Sequence, residues 1–271
     1  MTEFRSSEYA KSYAFGVYFI LDIVTKSVLP TRLRKEPLLD VLFEIRFKSK
    51  LLVSSILPGI IFSKFPQSKM EQLPHSQLPQ IIRQQTLELM YAPLVRIVGE
   101  EYAYQVGDNS FSLSCLIPYK GWQHFKRKII ESMELIDSTS LIEVVERFSL
   151  KYIDIIDNNN RLKSDILNAS LEVGKENFSN SNYHLQTELP RGDMTALIQI
   201  ISSANVKTPG VADRKGIVVA IDTIFQVDGT DLKALLPIFS SKLDAVHALN
   251  KEIFFSILSP QALELLEPVY D

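Results

Sequence analysis

Two stretches of this chain alternate apolar and polar residues with a period of two, and they constrain the fold more than any other feature. From Leu39 to Phe47, the residues Leu39, Val41, Phe43, Ile45 and Phe47 alternate with Asp40, Leu42, Glu44 and Arg46. From Arg147 to Ile156, Phe148, Leu150, Tyr152 and Ile156 alternate with Arg147, Ser149 and Lys151. Successive side chains of a strand point to opposite faces, so each stretch predicts a strand with one buried and one solvated face.

Other elements follow from punctuation and periodicity. Leu51–Lys64 reads as a helix that Pro58 and Gly59 would interrupt or start late, and Phe65–Gln80, with three prolines, reads as irregular. Leu94–Val98, Glu101–Val106 and Ser110–Leu116 form an antiparallel meander whose second turn is Gly107-Asp108-Asn109. Trp122, Phe125, Ile129 and Met133 share one face of a helix over Gly121–Leu135, and Ser138–Val145 is expected to continue helically after a break. Asn158-Asn159-Asn160 ends the following strand. Beyond it come three strands, Tyr183–Leu189, Met194–Ser202 and Lys215–Ile224, joined by Arg191-Gly192-Asp193 and a Ser203–Arg214 loop. A long helix then runs to Ser259-Pro260.

This order argues for an α+β fold rather than a doubly wound sheet. The expected organisation is an N-terminal extension over 1–30, an α+β subdomain over 31–157, and a second α+β subdomain with a long helix over 158–271.

Composition narrows the class. With 46% hydrophobic and 23% charged residues the chain has ordinary globular usage, and 29 Lys plus Arg against 32 Asp plus Glu give a net charge of −3, with no global attraction to nucleic acid or anionic membranes. The lone Cys115 cannot form an internal disulfide, which favours a reducing, cytoplasmic setting. His75, His124, His184 and His247 show no zinc-binding spacing, so no metal or other cofactor is expected. The apolar run Tyr13–Leu21 is shorter than the ~20 residues of a transmembrane helix. Helical spacing from Tyr9 to Val24 favours a docked amphipathic helix, with interfacial membrane binding as the alternative.

Three segments carry a resemblance. They are Pro37–Phe47 (PLLDVLFEIRF), followed by Leu57-Pro58-Gly59 and Glu71-Gln72-Leu73-Pro74; Pro118–Phe125 (PYKGWQHF), leading to Arg147–Asp154 (RFSLKYID); and Leu243-Asp244-Ala245-Val246-His247 with Phe254. Together they resemble an uncharacterised family of proteins scattered sporadically across bacteria and archaea, with an F-E-I-R-F strand, an R-x-x-L-R-Y-I-N strand and an L-D-x-L-H helix. Lys151 and Asp154 depart from that pattern, standing where the family has Arg and Asn. The resemblance brings no activity, cofactor or catalytic residue. The family's patchy distribution implies mobile or defence-associated genes, hence a partner protein encoded nearby or a sensor.

Candidate binding residues fall in two groups. Glu44 and Arg46 share a strand face, as do Arg147, Ser149 and Lys151; if the strands are neighbours, these form one charged patch for an anion or a partner, or else an ordinary solvated face. In Tyr119–Lys128, aromatic residues interleave with cations, so Trp122, Lys126, Arg127 and Lys128 could hold single-stranded nucleic acid or a nucleotide, unless Trp122 and Phe125 are buried. Asp244 and His247, three apart on a helix, can touch, but no nucleophile accompanies them, and no phosphate-loop, hydrolase or kinase signature is present. Nothing in the sequence brings Asp222 and Asp154 together to share a cation, and Cys115 reads as inert core. The expected function is therefore a non-enzymatic protein-interaction component, with a nucleic-acid or nucleotide-binding sensor as the alternative and an enzyme with an unrecognised site as the third reading; homo-oligomerisation stays open.

Overall fold

The computed structural model describes residues 29–157, 161–207 and 213–270. The N-terminal helix read from Tyr9–Val24 and the Asn158–Asn160 stop lie outside them.

Among these residues, nine strands form one fully antiparallel sheet: β1 (Leu38–Lys48), β2 (Lys69–Gln72), β3 (Pro93–Val98), β4 (Tyr102–Gly107), β5 (Ser110–Cys115), β6 (Val144–Ile156), β7 (His184–Arg191), β8 (Met194–Val206) and β9 (Arg214–Thr230). Their order across the sheet is β7-β8-β9-β6-β1-β5-β4-β3-β2. Both halves of the sequence enter this sheet, because β6 pairs with β9 on one side and β1 on the other.

The alternation read from the sequence sets the two faces. Val41, Phe43, Ile45 and Phe47 of β1 and Phe148 and Leu150 of β6 are buried beneath three helices, α1 (Val53–Lys64), α2 (Trp122–Asp137) and α3 (Leu232–Ile257). Phe239 of α3 sits edge-on to both Phe43 and Phe148, with ring centroids 5.9 and 5.1 Å away. A second apolar cluster lies further along the same face, where Ile253 and Phe254 of α3 meet Ile198, Ile200, Val219 and Ile221. The fold is α+β, and no helix among the described residues is long and apolar enough to cross a membrane.

Several boundaries differ from expectation. Helix α1 runs through Pro58, since burying Leu57, Pro58 and Ile61 outweighs one missing backbone hydrogen bond. Ser138–Val145 is not helical: the Ser138 and Thr139 hydroxyls donate back to the Leu135 and Ile136 carbonyls, Ser140 turns at φ +53°, and β6 begins at Val144. Strand β8 continues past Ser202 to Val206 through a bulge between Ile201 and Ala204, which shortens the expected loop. Within Phe65–Gln80, Lys69–Gln72 pairs with β3 as an edge strand.

Candidate functional site

The three segments that carry the resemblance meet at one place. A cleft of about 240 Å³ opens between the Pro30–Leu38 segment, the start of α2, the end of β6 and the second half of α3. Pro37 and Leu38 come from the first segment, Tyr119, Trp122, Tyr152 and Asp154 from the second, and His247 and Phe254 from the third. The sheet order accounts for the convergence: β1 lies beside β6 in the centre of the sheet, and α2 and α3 pack side by side over them.

Aromatic side chains shape this cleft. The Trp122 indole stacks on the His247 imidazole with centroids 4.2 Å apart, and its Nε1 donates to Asp244 Oδ1 at 2.9 Å. Lys126 Nζ donates to the other oxygen of Asp244 at 2.5 Å. Asp244 therefore serves α2, and no hydrogen bond joins it to His247. Burial pushes the His247 ring down to about 4, helped by the Lys251 charge and opposed by Asp244, so the imidazole is neutral at physiological pH. The Tyr119 and Tyr152 hydroxyls lie 3.0 Å apart, and burial raises both phenols. Asn250, also buried, donates its amide to the Leu150 and Ile221 carbonyls and to Thr223 Oγ1 at 2.8–3.2 Å, pinning α3 to the sheet.

Asp154 is only 7% exposed, and its carboxyl accepts no hydrogen bond among the described residues. Burial raises it to about 7, against the pull of Arg214, whose guanidinium donates to the Ile155 carbonyl at 3.1 Å.

The opposite face of the sheet carries the other candidate group. Strands β1 and β6 are neighbours, and Arg46 stands opposite Arg147, Glu44 opposite Ser149, and Leu42 opposite Lys151. Glu44 Oε1 accepts from Arg46 Nε at 2.7 Å and from Arg147 Nη2 at 3.1 Å, and the Arg46 guanidinium sits 4.4 Å from the Tyr91 ring centre. Lys151 pairs in register with Asp222, whose carboxyl burial raises and the Ser149 hydroxyl, Arg147 and Lys151 lower in part. The small side chains Ser112, Ser114 and Ala103 continue the same face across β5 and β4. Helices α1, α2 and α3 all lie on the other side.

The two expected groups therefore do not form one surface: Arg46 and Lys151 lie on the face opposite α1, α2 and α3, and Trp122–Lys128 lies on the side those helices cover. Within the latter, Phe125 is fully buried, one face of Trp122 is taken by His247, and Lys128 pairs with Glu131 at 3.1 Å and covers the Phe65 ring. Arg127 is exposed on the same helix. Asp154 and Asp222 point to opposite sides of the sheet, and among the described residues no group of three or more metal-binding side chains forms. Cys115 is buried in β5, which pushes its thiol up to about 12.

The sequence reading missed the cleft because its walls come from four separate stretches of the chain. The available signal was that Tyr119, Trp122 and His247, each part apolar and part polar, stand at the margins of their apolar stripes. Compared with protein-family models, the chain matches none, and no curated protein matches its sequence.

Proposed function

We propose that the protein is a non-enzymatic interaction component whose partner, another protein, docks on the sheet face opposite α1, α2 and α3. The observation that supports this reading is the charged ladder there: Glu44, Arg46, Arg147, Lys151 and Asp222 come from three adjacent strands and share one face that the long helices leave open. A face held by a stiff sheet loses little conformational freedom on docking, and alternating charges across it select a complementary surface. The pairs of the ladder are part-buried, with the Glu44, Arg46 and Arg147 side chains 21%, 31% and 17% exposed, and the buried Arg147 Nε and Asp222 Oδ1 have no partner among the described residues.

The nucleic-acid reading needs Arg46 and Lys151 to act together with Trp122–Lys128, and these sit on opposite faces.

The test is affinity purification of the tagged full-length chain from its native host, beside the Arg46→Glu/Lys151→Glu variant. Mass spectrometry and the 260/280 nm absorbance ratio are measured on both retained fractions. A stoichiometric protein held by the wild type and lost from the variant supports the reading. Equal retention by both, or a raised absorbance ratio with no stoichiometric protein, overturns it.

A further inference from the structure

Among the described residues, Asp154 is a buried acceptor with nothing to accept from. It lines the aromatic cleft at 7% exposure, its oxygens keep some contact with solvent there, and it receives no hydrogen bond from the described backbone or side chains. Arg214, the cation that pulls on its charge, directs its guanidinium at the Pro37 and Ile155 carbonyls. The two tyrosine hydroxyls of the cleft bond each other and the Asn250 amide is spent on the sheet, while the His247 ring lies flat on Trp122 without a hydrogen bond. An unpaired carboxylate lining an open aromatic cleft is a place where a donor can arrive from outside.

We infer that the cleft binds a small organic amine, its N–H donors on the Asp154 carboxylate and its apolar body between Trp122, Tyr152 and Phe254. Three observations select this chemistry. An ionised carboxylate only accepts, so the complementary group is a donor, and a cationic one makes the shorter and stronger bond. The walls are aromatic faces and edges, which favour a flat apolar body and a positive charge over a negative one. The volume of about 240 Å³ suits a ligand of one or two rings rather than a chain. Arg32 and Lys251 also line the cleft and Glu36 offsets one of these two positive charges, so the attraction for a cation has to come from Asp154.

Because burial holds the Asp154 carboxyl near 7, the ammonium form of an amine must first meet an ionised carboxylate, and affinity rises as pH climbs from 6 to 8. The other titratable groups facing this position do not reverse that trend: Tyr119 and Tyr152 stay protonated throughout, and His247 stays neutral.

The test uses three probes of one shape, phenethylamine, 2-phenylethanol and phenylacetate, titrated into the full chain at pH 6 and pH 8. Binding is read by saturation-transfer NMR and by the fluorescence of Trp122, the single tryptophan. At pH 8 the amine is expected to bind about tenfold more tightly than the alcohol, with the acid weakest, and the amine's advantage shrinks at pH 6. Asp154→Asn is expected to bring amine and alcohol within about twofold of each other while the alcohol still binds. Glu188→Gln, exposed on the edge strand β7 and away from the cleft, leaves the ratio as in the wild type. The inference is overturned if the acid binds as well as the amine, if Asp154→Asn keeps the wild-type ratio, if Glu188→Gln abolishes it, or if no probe binds.

Discussion

The Trp122 indole and the His247 imidazole lie face to face, with ring centroids 4.2 Å apart and planes 5° from parallel. One ring opens α2 and the other sits midway along α3, so the contact joins the two helices that cover the centre of the sheet. An excited indole transfers an electron readily to a stacked imidazolium but poorly to a neutral imidazole. The fluorescence of the single tryptophan is therefore expected to fall on acidification with a midpoint near pH 4, not near the free-histidine value of 6.5. In His247→Phe this transition disappears, and a wild-type midpoint near 6.5 would show the ring to be solvated. Stability follows the same proton. The folded value lies below the unfolded one, so the contribution is complete above about 6.5 and is lost as pH falls towards 4.

Asp154 has the opposite slope. Its folded value, about 7, lies above the ordinary 3.8, so the folded state holds the proton more tightly than the unfolded chain. The contribution is present below about pH 4 and is lost as pH rises through 7. Asp154→Asn, which removes the charge and keeps the shape, is expected to stabilise the protein at pH 8 by on the order of 2 kcal/mol and to do little at pH 4. Urea unfolding of both proteins at the two pH values measures this, and an equal difference at both would rule out burial of the charge as the cause.

A buried ion pair fastens the other end of the molecule. Asp108, in the β4–β5 turn, accepts from Arg83 Nε and Nη2 at 3.0 and 2.9 Å and from Ser54 Oγ at 2.5 Å, and both charged side chains are about nine-tenths buried. Arg83 also donates to the Leu78 carbonyl. The cluster thereby ties the start of α1, the Gln80–Gln85 helix and a sheet turn together. Asp108→Ala leaves the guanidinium buried without its carboxylate and is expected to cost about 3–5 kcal/mol. Arg83→Met/Asp108→Leu, which removes both charges, should cost clearly less than that. Chemical denaturation of the two variants decides it, and equal losses would mean that packing rather than charge accounts for the effect.

What was legible in the sequence is what depends on neighbours in the chain. The alternation of Val41, Phe43 and Ile45 with Leu42, Glu44 and Arg46 reports which face of β1 is buried, whatever lies above it, and the structure buries that face. The i, i+3, i+7 spacing of Trp122, Phe125 and Ile129 likewise placed α2 to within two residues at its C-terminal end. Side-chain partners were less legible, because they depend on which elements become neighbours. Asp244 and His247 are close enough in sequence to touch, yet each turns to α2: Asp244 to Trp122 and Lys126, His247 to the indole face. Lys126 reads in the sequence as a cation available to a nucleic acid or nucleotide, but its side chain is 13% exposed and paired with Asp244. The cleft required the order β6-β1-β5 and the packing of α2 on α3, neither of which any local pattern encodes.

Two glycines give a last, paired prediction. A Cβ on Gly216 would sit 2.2 Å from the Ile156 carbonyl oxygen and 2.8 Å from its carbon, both backbone atoms. Ile156 cannot retreat, since it is fully buried and pairs in register with Ile217 at this end of the β6–β9 ladder. Gly216→Ala is therefore expected to part the strands locally and to cost about 3 kcal/mol. Gly59 is the contrast. It lies on the exposed side of α1, and a methyl group there would meet nothing within 4 Å, so Gly59→Ala only stiffens the helix and is expected to stabilise the protein by about 0.5–1 kcal/mol. Thermal unfolding of the two variants against the wild type should move in opposite directions. If Gly216→Ala melts with the wild type, β9 does not approach β6 as closely as the 2.2 Å contact requires.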